Sequence, residues 1–338
     1  MASRTLYYQL KVCKNSIRII TRVTSLLLII SIAYSGCTIH VADTGLSRSI
    51  QKAPYSDGVF LGHLENAEIS EASGIAVSRL NEDVLWIVND GGHKPYVFAV
   101  GMDGADIGGF RLRNAQNVDW EDLSAYRFGN TSYLLIADVG DNQAQREEYF
   151  LYIVPEPEIS RGGSGIRSVL DWEHRIRFVY EDGPQDCESV AVDPQNRKIL
   201  MLSKRRVPPM LYALPLMPAG NQKLHIARRI AEIRNIPQPT PQNLIEELKC
   251  GRFCSQPTSM DITSDGLILA ILTYKNGYLY RRLAHETWPA VFQRSPQLIV
   301  MPGLRQSESL CFSPNGKSIY ITSEKRPTPL YRLDRKDH

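Results

Sequence analysis

The 338-residue chain has little of several things: six cysteines, seven histidines, four tryptophans, and no large excess of either charge. There are 39 basic and 36 acidic residues, and five of the bases (Arg4, Lys11, Lys14, Arg18, Arg22) fall in the first 36 residues, which hold no acid. The remainder therefore carries two more acids than bases. No basic stripe with interleaved aromatics is present, and nucleic acid is excluded as the expected partner. No His or second Cys pair stands at zinc spacing, which excludes the common structural zinc sites. A Gly-x-Ser-x-Gly elbow, a phosphate-cradling glycine loop and a dinucleotide fingerprint are also missing, and with them the serine hydrolases and nucleotide enzymes built on those motifs.

One apolar run does occur early, from Ser25-Leu-Leu-Leu-Ile-Ile to Ile32-Ala33, behind the basic residues. It is short for a membrane span and reads as a signal peptide over 1–36. It ends in Tyr34-Ser35-Gly36-Cys37, which resembles the lipobox of bacterial lipoproteins, although Tyr34 departs from the usual aliphatic residue. That resemblance implies cleavage before Cys37, a diacylglycerol on its sulfur, and a membrane partner reached through the lipid. Thr38 in the next position implies the outer membrane, with residues 37–56 as a tether and the domain in the periplasm or at the surface. An ordinary secretory signal or an uncleaved anchor is the other reading. No later run is long enough to span a bilayer.

Past residue 57, an acid followed by a short apolar strand recurs five times: Glu71-Ala-Ser-Gly-Ile-Ala-Val, Glu121-Asp-Leu-Ser-Ala-Tyr, Glu188-Ser-Val-Ala-Val-Asp, Asp261-Ile-Thr-Ser-Asp-Gly and Glu308-Ser-Leu-Cys-Phe-Ser-Pro. The spacings of 50, 67, 73 and 47 residues suit one blade of a β-propeller with insertions. Each copy continues through turn formers such as Asp193-Pro-Gln-Asn and Ser313-Pro-Asn-Gly into a second apolar strand. A third strand with an aromatic and a more polar fourth follow. The last copy lacks a fourth strand, and the unassigned Val59-Phe-Leu-Gly-His-Leu is available to pair there and close the ring. The expected fold is an all-β propeller over 57–338 with five four-stranded blades, six being the alternative. An insertion at about 236–257 forms a cap with a helical stretch at Leu244–Lys249.

The repeat places Glu71, Glu121, Glu188, Asp261 and Glu308 in a ring at one mouth of the channel. The ends of the second strands add Asn89, Asp90, Asp138, Asp141, Asn142, Lys204, Tyr274 and Glu324. Crowded carboxylates raise one another's pKa, and a hard cation relieves this. Calcium is the expected cofactor, because it takes six to eight oxygens from carboxylates, amides and carbonyls. The five ring acids are its candidate ligands, and the second-strand residues a binding site for a small-molecule or protein ligand. Lys204 offers relief without metal, and an acid before a strand also serves simply to cap backbone N–H groups. His93, in Asn89-Asp90-Gly91-Gly92-His93, is the candidate general base. His63, His174, His225 and His285 are read as surface residues. Cys250 and Cys254, flanking Gly-Arg-Phe, are expected to form a disulfide, and Cys187 and Cys311 to be buried thiols.

Glu71-Ala-Ser-Gly, Leu85-Trp-Ile-Val-Asn-Asp-Gly-Gly, Asp119-Trp-Glu-Asp-Leu, Ala137-Asp-Val-Gly-Asp-Asn, Cys187-Glu-Ser-Val-Ala-Val-Asp-Pro and Ser307-Glu-Ser-Leu-Cys-Phe-Ser-Pro-Asn-Gly together resemble a group of secreted bacterial β-propeller proteins. That group is distantly similar to esterase-like phytase propellers and to envelope propellers of the NHL sort. The resemblance implies the fold and leaves the activity open, since propellers host hydrolases, lyases and binding modules. Two functions follow as expectations. One is a lipid-anchored envelope protein that binds or scaffolds through an acidic mouth holding calcium. The other is a metal-dependent hydrolase of an ester, lactone or phosphoester.

Overall fold

A computed structural model of the chain describes residues 50–159, 166–217, 223–246, 250–304 and 306–336. The leader 1–36 and Cys37 lie outside the described residues. The compact unit runs from Ile50 to His338, so it starts earlier than the expected residue 57. Ala53 and Tyr55 explain this. Both are buried among Ile268, Leu279, Phe312 and Leu333, and the backbone around them bridges Lys52 to Leu298 and Tyr55 to Arg335.

The fold is all-β. A leading strand β1 (Val59–His63) precedes a first group of β2 (Ala72–Val77), β3 (Val84–Asn89), β4 (Tyr96–Gly101) and β5 (Asp106–Leu112). The second group has β6 (Trp120–Phe128), β7 (Thr131–Asp138) and β8 (Tyr149–Pro155), then β9 (Ile166–Leu170) and β10 (His174–Tyr180). The third consists of β11 (Cys187–Asp193), β12 (Lys198–Ser203), β13 (Met210–Pro215) and β14 (Leu224–Glu232). The fourth consists of β15 (Pro257–Ile262), β16 (Ile268–Thr273), β17 (Gly277–Arg281) and β18 (Gln297–Ile299). The fifth has β19 (Ser307–Phe312), β20 (Ser318–Ser323) and β21 (Pro329–Asp334), and β1 is its outer neighbour, antiparallel with Val59 opposite Arg332.

Within each group neighbouring strands pair antiparallel, and the inner strand is buried on both faces. In β2, β11, β15 and β19 every position is buried, including the polar residues Thr258, Ser259, Ser307 and Ser309. The outer strands are more exposed; in β14 the adjacent Arg228 and Arg229 are exposed between Ala227 and Ile230. Two outer contacts break the simple pattern. β9 pairs parallel with β5, and β10 pairs parallel with β14, fusing the second and third groups into one eight-stranded sheet.

Five apolar clusters hold the groups together, one between each neighbouring pair. Trp86, Trp120 and Tyr152 fill the first interface, and Tyr149, Phe178 and Tyr212 the second. Leu200, Tyr280 and Trp288 fill the third, and Leu272, Phe312 and Ile321 the fourth. Ile75, Phe98 and Leu330 join the fifth group to the first. The inner strands β2, β6, β11, β15 and β19 accordingly neighbour one another in a complete circuit. This is a β-propeller arrangement, with the starts of the inner strands gathered at one end and their finishes at the other.

The insertion before β15 contains a short helix Pro241–Glu246 and a 3-10 turn Gly251–Phe253, with Cys250 and Cys254 joined in a disulfide. Of the expected helical stretch Leu244–Lys249, residues 244–246 are helical and 247–249 lie outside the described residues. Cys187 and Cys311 are buried and free. Among the described residues no helix is long and apolar enough to cross a membrane.

Candidate functional site

Every inner strand carries a β-bulge in its first turn of pairing, and the bulges set the geometry of the site. The register shifts between Ala72 and Gly74, Trp120 and Asp122, Cys187 and Ser189, Pro257 and Ser259, and Ser307 and Ser309. The extra residue in each is therefore Ser73, Glu121, Glu188, Thr258 or Glu308. A bulge leaves one residue unpaired and re-aims its side chain. Hydroxyls in this layer close the gaps between strands, Ser73 donating to the Glu121 carbonyl at 2.7 Å and Thr258 to the Ser307 carbonyl at 2.8 Å.

This register departs from the expected ring at two of its five positions. Glu71 lies two residues before its bulge, with a side chain 48% exposed and a 3.6 Å ion pair to His93. Asp261 lies three residues past Thr258, toward the opposite end of the inner strands. Its carboxylate accepts the N–H groups of Ile262 and Phe312, both at 2.8 Å, so it locks the fourth group to the fifth. The acid-before-strand pattern hides this shift because the constant feature is the bulge, which tolerates Ser, Glu or Thr.

Glu121, Glu188 and Glu308 do converge. With Ser73, Asp90, Asn142, Lys204, Tyr274, Gln306 and Glu324 they line a polar cavity of about 120 Å³ at the mouth. Asp90, Lys204, Tyr274 and Glu324 reach it from the ends of the second strands, one residue past the last paired position in each. Other expected members stand aside. Asn89 donates to the Glu68 carbonyl at 2.6 Å and orders the loop. Asp141 accepts from the N–H groups of Gln145 and Arg146 and from the Tyr149 hydroxyl. Burial pushes its carboxyl up, but these bonds outweigh it and hold the group below the usual carboxylate range. His93 engages Ser70 Oγ at 3.0 Å and the Asp90 carbonyl at 3.1 Å, placing both ring nitrogens outside the cavity lining.

The expected set left out Asp119. Carboxylate oxygens of Asp90, Asp119 and Glu121 lie within 4.8 Å of one another. The local backbone builds this cluster. Asp138, fully buried, accepts the Asp119 N–H at 3.1 Å and an ion pair from Arg146 at 2.8 Å, while the Asp119 carbonyl receives the N–H groups of Val139 and Gly140. Asn117 donates to the carbonyls of Asn89 and Asp90 at 3.0 and 2.8 Å, clamping the first loop to the second. Glycine is needed at two points. A Cβ on Gly91 would overlap Asp119 Oδ1, and one on Gly140 would overlap Glu121 Oε1 and the Asp119 carboxylate. A clue was present in sequence: positions two before each bulge read Glu71, Asp119, Asp186, Gln256 and Gln306, a second polar tier in step with the first.

The electrostatics are those of a crowded, dry site. Burial, with Asp90 next, pushes Asp119 up to about 6. Burial and then Glu188, Asp90 and Asp119 raise Glu121 well above the carboxylate range, and Glu308 is raised likewise by burial and Glu188. Burial raises Glu188 to about 8, with Lys204 pulling the other way. Lys204 forms a buried ion pair with Glu188 and sits 5.0 Å over the Tyr274 ring. Burial disfavours its ammonium, but Glu188, Tyr274 and Glu308 overcome that and keep it charged. Lys204 is the one basic residue of the cavity lining, and the raised acids around it hold protons in place of a compensating cation. Three convergent carboxylates are the donor set of a hard divalent ion, and the donors present fit calcium. A second cavity of about 210 Å³, walled by Cys250 and Phe253 of the disulfide loop, shares Lys204, Tyr274 and Gln306 with the first.

The class of protein is thus a β-propeller with an acidic mouth. No protein-family model matches the chain, and no curated protein matches it. Among solved structures, a gluconolactonase of Xanthomonas campestris aligns at 11% identity over 84% of this chain and 87% of its own, with a TM-score of 0.42. The β-propeller domain of Cps50 (Swd1) from Myceliophteria thermophila aligns at 14% identity over 80% of this chain and 66% of its own, with a TM-score of 0.36. Both likenesses are distant, and no residue role is taken from either.

Proposed function

We propose that the chain is a five-bladed propeller of the bacterial cell envelope, closed by β1 and anchored through lipid on Cys37. In this reading it holds a divalent cation, calcium first, on Asp90, Asp119 and Glu121 and hydrolyses a neutral ester or lactone. One observation carries the proposal: the three carboxylates come together from two strand groups, around glycines that make room for them, beside a polar cavity. Calcium takes six to eight oxygens, so three protein ligands leave positions open to solvent and substrate. A purely structural ion would be closed off by protein.

A bound cation supplies Lewis-acid polarisation of a carbonyl and a water of lowered pKa. The remaining roles belong to the chain. Tyr274, Gln306 and Lys204 bring donors to the wall of the cavity, and Glu188 keeps Lys204 charged and in place. Glu308, which holds its proton, and Glu324 add acidic groups and no base to the wall, which favours an uncharged substrate over a phosphoester. Asp138 and Asn117 position the Asp119 and Asp90 loops without touching the cavity.

The test is a thermal melt of the full chain in EDTA and then with Ca²⁺, Mg²⁺, Mn²⁺ or Zn²⁺, run beside hydrolysis of a short-chain nitrophenyl ester and a δ-lactone. A cation raises the melting temperature by mass action if it binds the native state. The expected result is a Ca²⁺-dependent rise and turnover, both lost in Glu121→Gln. A rise without turnover assigns a binding protein instead, and no rise with any cation rejects the metal centre.

A further inference from the structure

The inner strands finish in a ring as well as start in one, and the far end has the opposite charge. It opens into a cavity of about 650 Å³ to which all five groups contribute, through Arg79 after β2, Arg127 in β6, Arg197 after β11, Asp261 in β15 and Pro314 after β19. Three of these are arginines. Asp261 is the one acid in the lining; its oxygens accept the backbone N–H groups of Ile262 and Phe312, and Arg79 acts on its charge. The lining thus has a formal charge of +2.

The guanidinium groups are held rather than loose. Arg79 Nε donates to the Ala125 carbonyl at 2.9 Å, and its own carbonyl accepts Arg127 Nη2 at 2.9 Å. Arg197 lies 5.5 Å over the Phe128 ring. Arg79 Nη1 is buried with no hydrogen-bond partner. An unsatisfied buried donor on a cation carries a free-energy penalty that an anion in the cavity would relieve.

We propose that this mouth binds the dianionic head of a phosphomonoester. A guanidinium presents a planar fork of donors that matches phosphate oxygens in pairs. A phosphate monoester carries about −1.5 to −2 charge at neutral pH, which balances the lining, whereas a carboxylate would leave one arginine uncompensated. The volume falls in the range of small-molecule sites, roughly 300–1,000 Å³, leaving room for a body beyond the phosphate. The acidic mouth at the other end would repel the same ligand, so the two ends of the channel are chemically exclusive.

The test is calorimetric titration of the full chain with glycerol 3-phosphate, with inorganic phosphate, and with phosphatidylcholine vesicles containing or lacking phosphatidic acid. Arg127→Gln and Arg197→Gln are the variants, since both residues are exposed. One-to-one binding of glycerol 3-phosphate, weakened about tenfold for each arginine removed, supports a soluble ligand. Binding seen only with phosphatidic acid and weakened in the same way supports a lipid headgroup. No binding to any probe, or equal binding by wild type and the double variant, overturns the proposal. The Ca²⁺-dependent melt serves as the folding control and stays unchanged in these variants.

Discussion

Gly140→Ala tests the acidic mouth by geometry alone, because it adds one methyl group and removes no charge. Gly140 is buried, its N–H is bonded to the Asp119 carbonyl at 3.1 Å, and its backbone is not left-handed, so alanine is conformationally allowed. The new Cβ would stand 2.5 Å from Asp119 Cγ, where ordinary contacts begin at 3.4 Å. The carboxylate must therefore retreat by about 1 Å, and Glu121 with it. Calcium–oxygen distances span only about 2.3–2.6 Å, so a shift of that size removes two of three protein ligands from a shared ion. The cation-free variant should lose about 1–3 kcal/mol from overpacking, partly offset as the crowded carboxylates separate. Wild type at a hundredfold excess over Kd should gain about 2.7 kcal/mol, or roughly 5–10 °C in Tm for a domain of this size. The variant should gain almost nothing. Differential scanning fluorimetry in EDTA and in Ca²⁺ reads both effects, and a full wild-type rise in Gly140→Ala would refute shared coordination by Asp119 and Glu121.

Lys204→Met leaves Glu188 buried without its cation and should cost about 3–5 kcal/mol in urea unfolding, most of it recovered in the double variant with Glu188→Gln. A loss below about 1 kcal/mol in the single variant would mean that water already reaches the pair. The pH dependence has a defined sign. Asp119 titrates near 6 when folded, against 3.8 in its ordinary state, so its contribution to stability is fully present below about 3.8 and is lost as pH rises through about 6. In EDTA the protein should therefore melt lower at pH 7 than at pH 5, and Asp119→Asn should flatten that slope. Calcium, which needs the ionised carboxylate, should reverse the trend, with its effect growing through pH 6. Unchanged slopes in Asp119→Asn would remove this residue from both roles.

The strands were legible because burial leaves its mark on composition. The second strands, packed on both faces, stand out as apolar runs, the inner ones follow them as a recurring acid-and-strand pattern, and Val59–His63 could be matched to an outer position by elimination. The site was legible in part. Glu121, Glu188 and Glu308 sit on bulges, but Glu71 and Asp261 were aligned by their charge, and a bulge is recognised by register rather than by residue type. Asp119 escaped notice because its partner Asp90 lies in another group, and only the glycines at 91 and 140 record their closeness. The far mouth left only a partial sequence trace: Arg79 and Arg127 each lie six residues past their bulges, but Arg197 lies nine past its own, and the three meet only through the closure of the ring. The parallel pairing of β9 with β5 and of β10 with β14 depends on how outer strands approach across a gap, which no pattern within a single strand encodes.

The pairing of β1 with β21 makes the time order of folding matter. Val59 faces Arg332, so the last sheet draws strands from opposite ends of nearly the whole described chain. Closing so long a loop is entropically slow. Until β19 has emerged from synthesis or export the exposed sides of β2 and β15 have nothing to cover them, and β1 has no partner until β21 follows. A nascent chain is thus an open fan with two sticky flanks, and its vulnerability to self-association lasts until β19 to β21 are in place.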